Sequence, residues 1–482
     1  MSPESPLEII SPNNVLANAM LRAIDMVRPR LQAANPDRVA FCVGTQINGA
    51  PHLGTSLVQT AAFLLAKATK RTFNVDAVVR FGALDNAPHD VRLDPETHHA
   101  YQQTYAHALG ASGVDALIGT YYRAMFDSLA DATGVDYEIE TYTQQQAAPE
   151  FRHEFLSTLG RLDQIRWPLA PSHGQVHIRI PCPHCGWAEK RAERTRLVAT
   201  GSGGATFAAV CTDHGHYQAS ITADDPTTYI DLATLYRNLV KERLAARDRV
   251  TLSVMVKGGD WAFGCQLVDE AHAQLPGSIP PPRIYTPMVL TDTGAKLSKS
   301  LIRDGRVPPP AGIRPWMLDV TDWPGTTDDY VDALVWLVGR MLADPKHFYR
   351  SYTTAELDRI MSAHPATAPA VRARELNLYR RYFDLVADGS KTIEVRVQYP
   401  NLRTLAAGDH IRFVCGRDEA LTRVKRVARY TSFEEMLDTE GPENVNPTSP
   451  RNQQLANIRR IYGPEKEALG VLAIEIELLP TA

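Results

Sequence analysis

Val39-Ala-Phe-Cys-Val-Gly-Thr-Gln-Ile-Asn-Gly-Ala-Pro-His-Leu-Gly-Thr55 is an apolar run, a turn of small residues and the start of an amphipathic segment. Val39 to Val43 reads as a buried strand. Ser56 to Lys70 reads as the following helix, with Leu57, Ala61, Leu64, Leu65 and Ala68 on one face. Strand, glycine-containing turn and helix in this order bring backbone N–H groups and a helix N-terminus to a phosphate. Far downstream, Thr293-Gly-Ala-Lys-Leu-Ser-Lys-Ser300 follows a second apolar run, Pro287-Met-Val-Leu290, and concentrates two lysines and two serines in one loop. The expectation is that the two stations grip one triphosphate from both sides.

Transfer of an adenylyl group to a carboxylate builds negative charge on the departing pyrophosphate, so such a site needs cations and fixed donors aimed at those oxygens. Lys296 and Lys299 supply cations, while Ser298, Ser300 and loop amides supply neutral donors. His52 donates through an imidazole nitrogen, and Gly54 lets the backbone approach a nucleotide. His52-Leu-Gly-Thr55 resembles the HIGH signature, and Lys296-Leu-Ser-Lys-Ser300 the KMSKS signature, of class I aminoacyl-tRNA synthetases. The resemblance implies an α/β fold with a doubly wound parallel sheet, Rossmann-like and of HUP type. It also implies ATP and Mg2+, an amino acid as second substrate and tRNA as acceptor. Catalysis falls to His52, Lys296 and Lys299, and nucleotide contacts to Gly44, Thr45, Pro51, Gly54, Thr55, Gly258, Gly259, Asp260, Ser298 and Ser300.

At 482 residues the chain exceeds one ordinary core, and domains of roughly 150 residues suggest two to four. A hydrophobic content of 44% and a charged content of 22% are those of a soluble globular protein. The net charge of −4 excludes a bulk electrostatic hold on nucleic acid and leaves RNA contact to local patches. No apolar run approaches membrane-spanning length, and Met1-Ser-Pro-Glu-Ser-Pro6 lacks a basic region followed by an apolar one, so the expectation is a cytoplasmic protein without a membrane partner. Of six cysteines, Cys42, Cys265 and Cys415 stand alone and three cluster, a usage that favours a reducing compartment and a zinc site over disulfides.

Along the chain, Leu16 to Leu31 has helical periodicity and is expected to pack on the nucleotide domain. A second strand, Val75 to Phe81, ends in Gly82-Ala-Leu-Asp-Asn86. There Asp85 and Asn86 are substrate-binding candidates, Asp85 for an ammonium, against the simpler role of a helix cap. His98 to Gly160 reads as mostly helical, including Ala100 to Leu109 and Ala124 to Thr133. Cys182-Pro-His-Cys185 and Cys211-Thr-Asp-His214 make two short-spaced pairs able to close a tetrahedron around a structural Zn2+, with His184 and His216 competing with His214 for the fourth place. The order of these pieces resembles the class I type of lysyl-tRNA synthetase. Gly258-Gly-Asp260, after the strand Thr251 to Val256, matches the Gly-x-Asp that this class places near the ribose. Where the lysyl type has His after that Asp, this chain has Trp261. Lys241-Glu-Arg-Leu-Ala-Ala-Arg247 replaces the aromatic-rich elements expected before the strand, so lysine specificity does not transfer.

Pro308-Pro-Pro310 marks a domain edge, Asp328 to Leu342 and Thr354 to Met361 read as amphipathic helices, and too few residues then remain for an anticodon-binding helical domain. From Ala373 the pattern becomes short strands. Tyr382 to Arg396, Leu405 to Asp409, Ile411 to Val414, Arg423 to Tyr430 and Gly470 to Glu477 resemble an ASCH domain, a small β-barrel of the PUA-like group. That family includes RNA binders and amidohydrolases acting on acylated cytidine, which implies ligand binding by Lys391, Thr392, Glu394 and Arg396. Strand alternation puts Lys391 on one face and the other three on the opposite face. Arg423, Lys425, Arg426 and Arg429 add local positive charge in a region whose 16 basic and 16 acidic residues balance.

The expected division is a first catalytic half at 1–165, a zinc insertion at 166–228, a second catalytic half at 229–306, a helical connector at 307–372 and the ASCH domain at 373–482. The leading reading is ATP-dependent activation of an amino acid, of lysine type by resemblance, with transfer to tRNA. Two others remain: a synthetase-derived ligase that passes the acyl group to a small amine or nucleoside, and a non-enzymatic RNA-binding regulator.

Overall fold

A computed structural model describes residues 23–201, 203–277, 279–299, 302, 308–309, 313–364, 373–399, 402, 405–416 and 418–479. The chain forms two units, residues 1–367 and 368–482. The helix α1 (Ala23–Ala34) carries the described part of the expected first helix, and its Ala23, Ile24, Val27 and Leu31 join the core of unit one. Leu16 to Arg22 and Ser300 lie outside the described residues.

In β1 (Arg38–Gln46), Val39, Ala40 and Phe41 are fully buried, as befits a strand covered on both faces. The next element is α2 (Leu53–Phe73), whose Leu57, Ala61, Phe63 and Leu65 pack on the sheet. β2 (Asp76–Leu84) pairs in parallel with β1 as far as Gln46 opposite Leu84. It runs three residues beyond the expected end because Gly44 and Gly82 lie opposite each other; a Cβ on Gly44 would come within 3.4 Å of the Gly82 carbonyl.

β3 (Pro88–Leu93) and β4 (Ala100–Thr104) follow, and β4 corrects the expected helix, which begins only at Tyr105. The apolar spacing there serves a strand instead. β4 is sandwiched between β3 and β6 (Trp187–Glu189), with Tyr101 and Gln102 buried. β5 (Tyr137–Thr141) completes one side of the central sheet. β7 (Arg196–Gly201), β8 (Gly204–Cys211) and β9 (Gly215–Ile221) form a separate antiparallel sheet. After α3 (Thr234–Arg247) come β10 (Thr251–Gly258), α4 (Ala262–Ala273) and β11 (Arg283–Thr286).

The central sheet is parallel throughout, in the order β11-β10-β1-β2-β5. The chain winds outward from β1 through β2 to β5, then returns to the other side of β1 for β10 and β11. The order therefore reverses between β1 and β10, and the crevice outside their carboxyl ends is where doubly wound sheets bind ligands. α5 (Thr327–Ala343) lies in the segment expected to be a connector, yet Tyr330, Leu334 and Leu337 share one core with β1 and α2. No described helix is long and apolar enough to cross a membrane.

Unit two holds β12 (Ala373–Asn377), β13 (Ile393–Val397), β14 (His410–Cys415), β15 (Asp418–Tyr430), α6 (Arg451–Glu467) and β16 (Val471–Leu478). Its sheet has the order β12-β14-β15-β16-β13. The barrel expected from the sequence is a curled sheet whose edge strands are joined by a side chain: Arg396 Nη2 on β13 donates to the Asn377 carbonyl on β12 at 3.0 Å.

Candidate functional site

The crevice at the reversal point opens into a cavity of about 910 Å³ lined by Gly44, Thr45, Pro51, His52, Gly54, Thr55, Gly258, Asp260, Lys296, Ser298 and Lys299. Gly259 backs it, where a Cβ would meet the Thr286 carbonyl at 3.2 Å.

His52 is the N-cap of α2, and its Nδ1 accepts from the Gly54 N–H at 3.1 Å. Burial, then the charges of Lys296 and Lys299, lower its pKa to about 4. A neutral ring whose Nδ1 accepts carries its proton on Nε2, so the free edge of the imidazole is a donor. Gly54 has no room for a side chain, since a Cβ would lie 2.9 Å from His52 Cε1.

The lysine loop is a tight reversal. The Thr291 N–H donates to the Ala295 carbonyl at 2.7 Å, the Leu297 N–H donates to the Val289 carbonyl at 2.9 Å, and buried Leu297 anchors the turn in the core. Lys296 Nζ pairs with Asp260. Lys299 Nζ donates to the Ala50 carbonyl at 2.7 Å and to Asp319 Oδ2 at 3.0 Å. The His52 turn and the lysine loop therefore meet directly, although Ala50 and Lys299 are 249 positions apart.

Sequence reasoning missed the residues that fix this meeting. The Val320 N–H donates to the Pro51 carbonyl at 3.1 Å, and Tyr122 Oη donates to the Gly49 carbonyl at 3.0 Å. Asp319 is pushed up by burial, but hydrogen bonds from Thr321 and Lys299 outweigh this and hold its carboxyl below the usual range. No local pattern marks Asp319 or Tyr122. A signal did exist for Arg80 and Glu140, polar interruptions of β2 and β5 that also line the cavity.

Asp85 and Asn86 are buried and do not line the cavity. Asp85 Oδ1 accepts from the Thr143 N–H at 3.0 Å, at the first turn of the helix Tyr142–Ala147; burial outweighs the hydrogen bonds to its carboxylate and raises its pKa. Asn86 donates to Asp231 Oδ1 at 2.8 Å and accepts from Arg237 at 3.0 Å.

Cys182, Cys185, Cys211 and His214 converge, with their ligand atoms within 4.8 Å of one another. Cys185 Sγ lies 3.5 Å from Cys211 Sγ, and His214 Nδ1 lies 3.7 Å from Cys182 Sγ and 3.6 Å from Cys211 Sγ. A tetrahedron built on bonds of about 2.3 Å has edges of about 3.8 Å, so the four side chains fit a zinc ion. The Gly186 N–H donates to the Cys182 carbonyl at 2.8 Å with Gly186 at φ +72°, the tight turn that folds Cys185 back beside Cys182.

In unit two, Lys391 precedes β13 and so escapes its alternation, a correction to the expected opposite faces. Its long stem folds back: Nζ donates to the Ile393 carbonyl at 2.7 Å and the Val445 carbonyl at 2.8 Å and lies 3.3 Å from Glu394 Oε2. Glu394 also pairs with Arg396 at 2.8 Å, and exposed Thr392 faces Asn444. The expected basic patch is largely matched, since Arg423 pairs with Glu477, Lys425 with Glu475 and Arg426 with Glu440.

Residues 376–480 match the ASCH domain family, and this part of the chain is an ASCH domain. A Pyrococcus furiosus protein solved by NMR is 38% identical over 23% of this chain and 99% of its own, with a TM-score of 0.20. Over the larger part of the chain the structural neighbours are class I aminoacyl-tRNA synthetases. Mycobacterium tuberculosis methionyl-tRNA synthetase in complex with methionyl-adenylate shows 14% identity over 74% of this chain and 77% of that one, TM-score 0.34. Elizabethkingia anophelis glutamate-tRNA synthetase shows 12% identity over 67% and 70%, TM-score 0.31. No curated protein matches the chain.

Proposed function

We propose that unit one activates an amino acid with ATP, forming an aminoacyl-adenylate and pyrophosphate, and passes the acyl group to tRNA. The observation that carries this is the contact of Lys299 with the Ala50 carbonyl, which joins the two motif-bearing loops across the mouth of one cavity. In this reading a carboxylate oxygen of the amino acid attacks the α-phosphorus in line, and the bond to the pyrophosphate oxygen breaks. No side-chain nucleophile is needed. His52 Nε2–H, the N-terminus of α2 and the ammonium groups of Lys296 and Lys299 stabilise the charge that develops on the phosphates. Asp260 accepts from ribose hydroxyls, while Gly44, Thr45, Gly54, Thr55, Gly258, Gly259, Ser298 and Ser300 bound the nucleotide. Mg2+ supplies further charge neutralisation on the phosphates when bound. The cysteine and histidine cluster holds a structural Zn2+, with no open position for chemistry. Asp85 and Asn86 support the amino-acid pocket from behind its wall.

A tRNA-independent ligase is the second reading. It is favoured by α5 and the helix Thr354–Ser362 following the lysine loop as parts of the unit-one core, with no separate helical domain among the described residues before the ASCH domain. The ASCH domain then holds RNA in the first reading and the small acceptor in the second. Exchange of labelled pyrophosphate into ATP, screened over the common amino acids, tests activation. Exchange that never leads to labelled tRNA selects the second reading, and absence of exchange removes both.

A further inference from the structure

One face of the central sheet is unusual. Val39, Phe41, Val79, Phe81, Val254 and Val256 point into the core shared with α2. By strand alternation their neighbours along the strands point the other way, and Cys42, Arg80, Gly82, Ser253, Met255 and Lys257 among them line the cavity beneath α3. A parallel sheet normally presents apolar side chains to its covering helix. Here α3 presents Arg237 and Lys241, one turn apart, to the same space. A Cβ on Gly82 would lie 3.3 Å from Lys241 Nζ, so the glycine leaves room for the ammonium.

The charges there do not cancel. Arg80 is paired with Glu138 at 3.0 Å and Lys257 with Glu242 at 3.1 Å. Arg237 donates to the neutral Asn86 amide, and its Nε is buried without a hydrogen-bond partner among the described residues. Lys241 forms no ion pair among the described residues. Its charged neighbours are Arg237 and Lys257, which repel it, and Glu140, which attracts it; burial raises the Cys42 thiol, which stays neutral. Glu140 itself accepts from Gln145 at 3.1 Å. Lys241 thus has Glu140 as its nearby carboxylate, while Asp231, which attracts Arg237, is already paired with Arg179 at 2.6 Å; burial, then Arg237, lowers the Lys241 pKa to about 8.

We infer that this pocket receives the side chain of the activated amino acid and that the side chain is a carboxylate, bridging Lys241 and Arg237. The substrate class is an acidic amino acid. This inference rests on the adenylation reading. It also sets aside the lysine-type resemblance, since a second ammonium would face two resident cations.

The test is pyrophosphate exchange by the whole protein with aspartate, asparagine, glutamate, glutamine, lysine and the remaining common amino acids. The expected result is an acidic substrate whose kcat/KM exceeds that of its own amide by at least about 100-fold, because the amide leaves buried charges unpaired. Lys241→Met is expected to lower that ratio by at least about 10-fold, and Lys241→Arg to keep most of it. Exchange that is best with a neutral or basic amino acid, or an acid-to-amide ratio unchanged in a folded Lys241→Met protein, overturns the inference and leaves adenylation standing. Absence of exchange with every amino acid overturns adenylation and the inference with it. If Lys241→Met fails to fold, the wild-type acid-to-amide ratio alone decides.

Discussion

At the scale of single residues, the functional proposal depends on charges held close to where phosphate oxygens would lie. Lys299→Ala is expected to slow pyrophosphate exchange by about two to three orders of magnitude, the scale for losing one transition-state donor, and single-turnover kinetics will separate that loss from weaker ATP binding. Buried histidines give a second prediction. His272 is fully buried, and burial, then Arg243, lowers its pKa to about 4; His52 is lowered to a similar value. The unfolded chain protonates these rings near pH 6.5 and the folded chain only near 4, so the unfolded state binds more protons in that window. Stability therefore falls as pH drops from about 6.5 to about 4, by up to about 3 kcal/mol for His272. Urea titrations across that range will show a shallower fall for His272→Gln. His52, Lys296 and Lys299 were legible because they sit in short motifs beside apolar runs. Asp319 and Tyr122 were not, because their roles arise only when distant segments meet.

At the scale of elements, the strands and helices with plain periodicity were readable and their ends were not. Ala124–Thr133 falls where the spacing puts it, whereas β2 continues through Leu84 because backbone pairing with β1 outlasts the apolar pattern. The segment at Ala100 misled because a strand with buried Tyr101 and Gln102 can mimic one turn of an amphipathic helix. What decides its structure is the neighbour supplied by the cysteine turn: Trp187–Glu189 adds to it, and Gln103 donates to the Cys185 carbonyl at 2.9 Å. That coupling makes a prediction. Chelation, or Cys185→Ser, is expected to release one metal ion per chain and to lower the thermal midpoint by several degrees, because metal binding to such a cluster is folding free energy. Metal analysis together with a melting curve checks it; an unchanged metal content in Cys185→Ser would remove that thiol from the ligand set.

At the scale of the molecule, the apolar clusters of the first unit draw only on residues before 368 and those of the second only on residues after it. Every residue lining the 910 Å³ cavity also lies in the first unit. Residues 1–367 produced alone are therefore expected to retain pyrophosphate exchange within about tenfold, while acceptor transfer is lost if the ASCH domain holds the acceptor. Activity of both steps in the shortened chain would detach the ASCH domain from the reaction. Of the five expected segments, the last begins near Ala373, close to the boundary between the two units, but the membership of α5 in the first core was not legible, since an amphipathic helix does not say which face of which neighbour it will cover. The central sheet pairs Arg38 with Thr251, and the two loops at the cavity are joined by the Lys299–Ala50 and Val320–Pro51 hydrogen bonds. During synthesis these partners emerge far apart in time. A nascent chain that has not yet reached Val320 lacks that closure, so the turn before α2 waits, half built, for the last third of the polypeptide to begin.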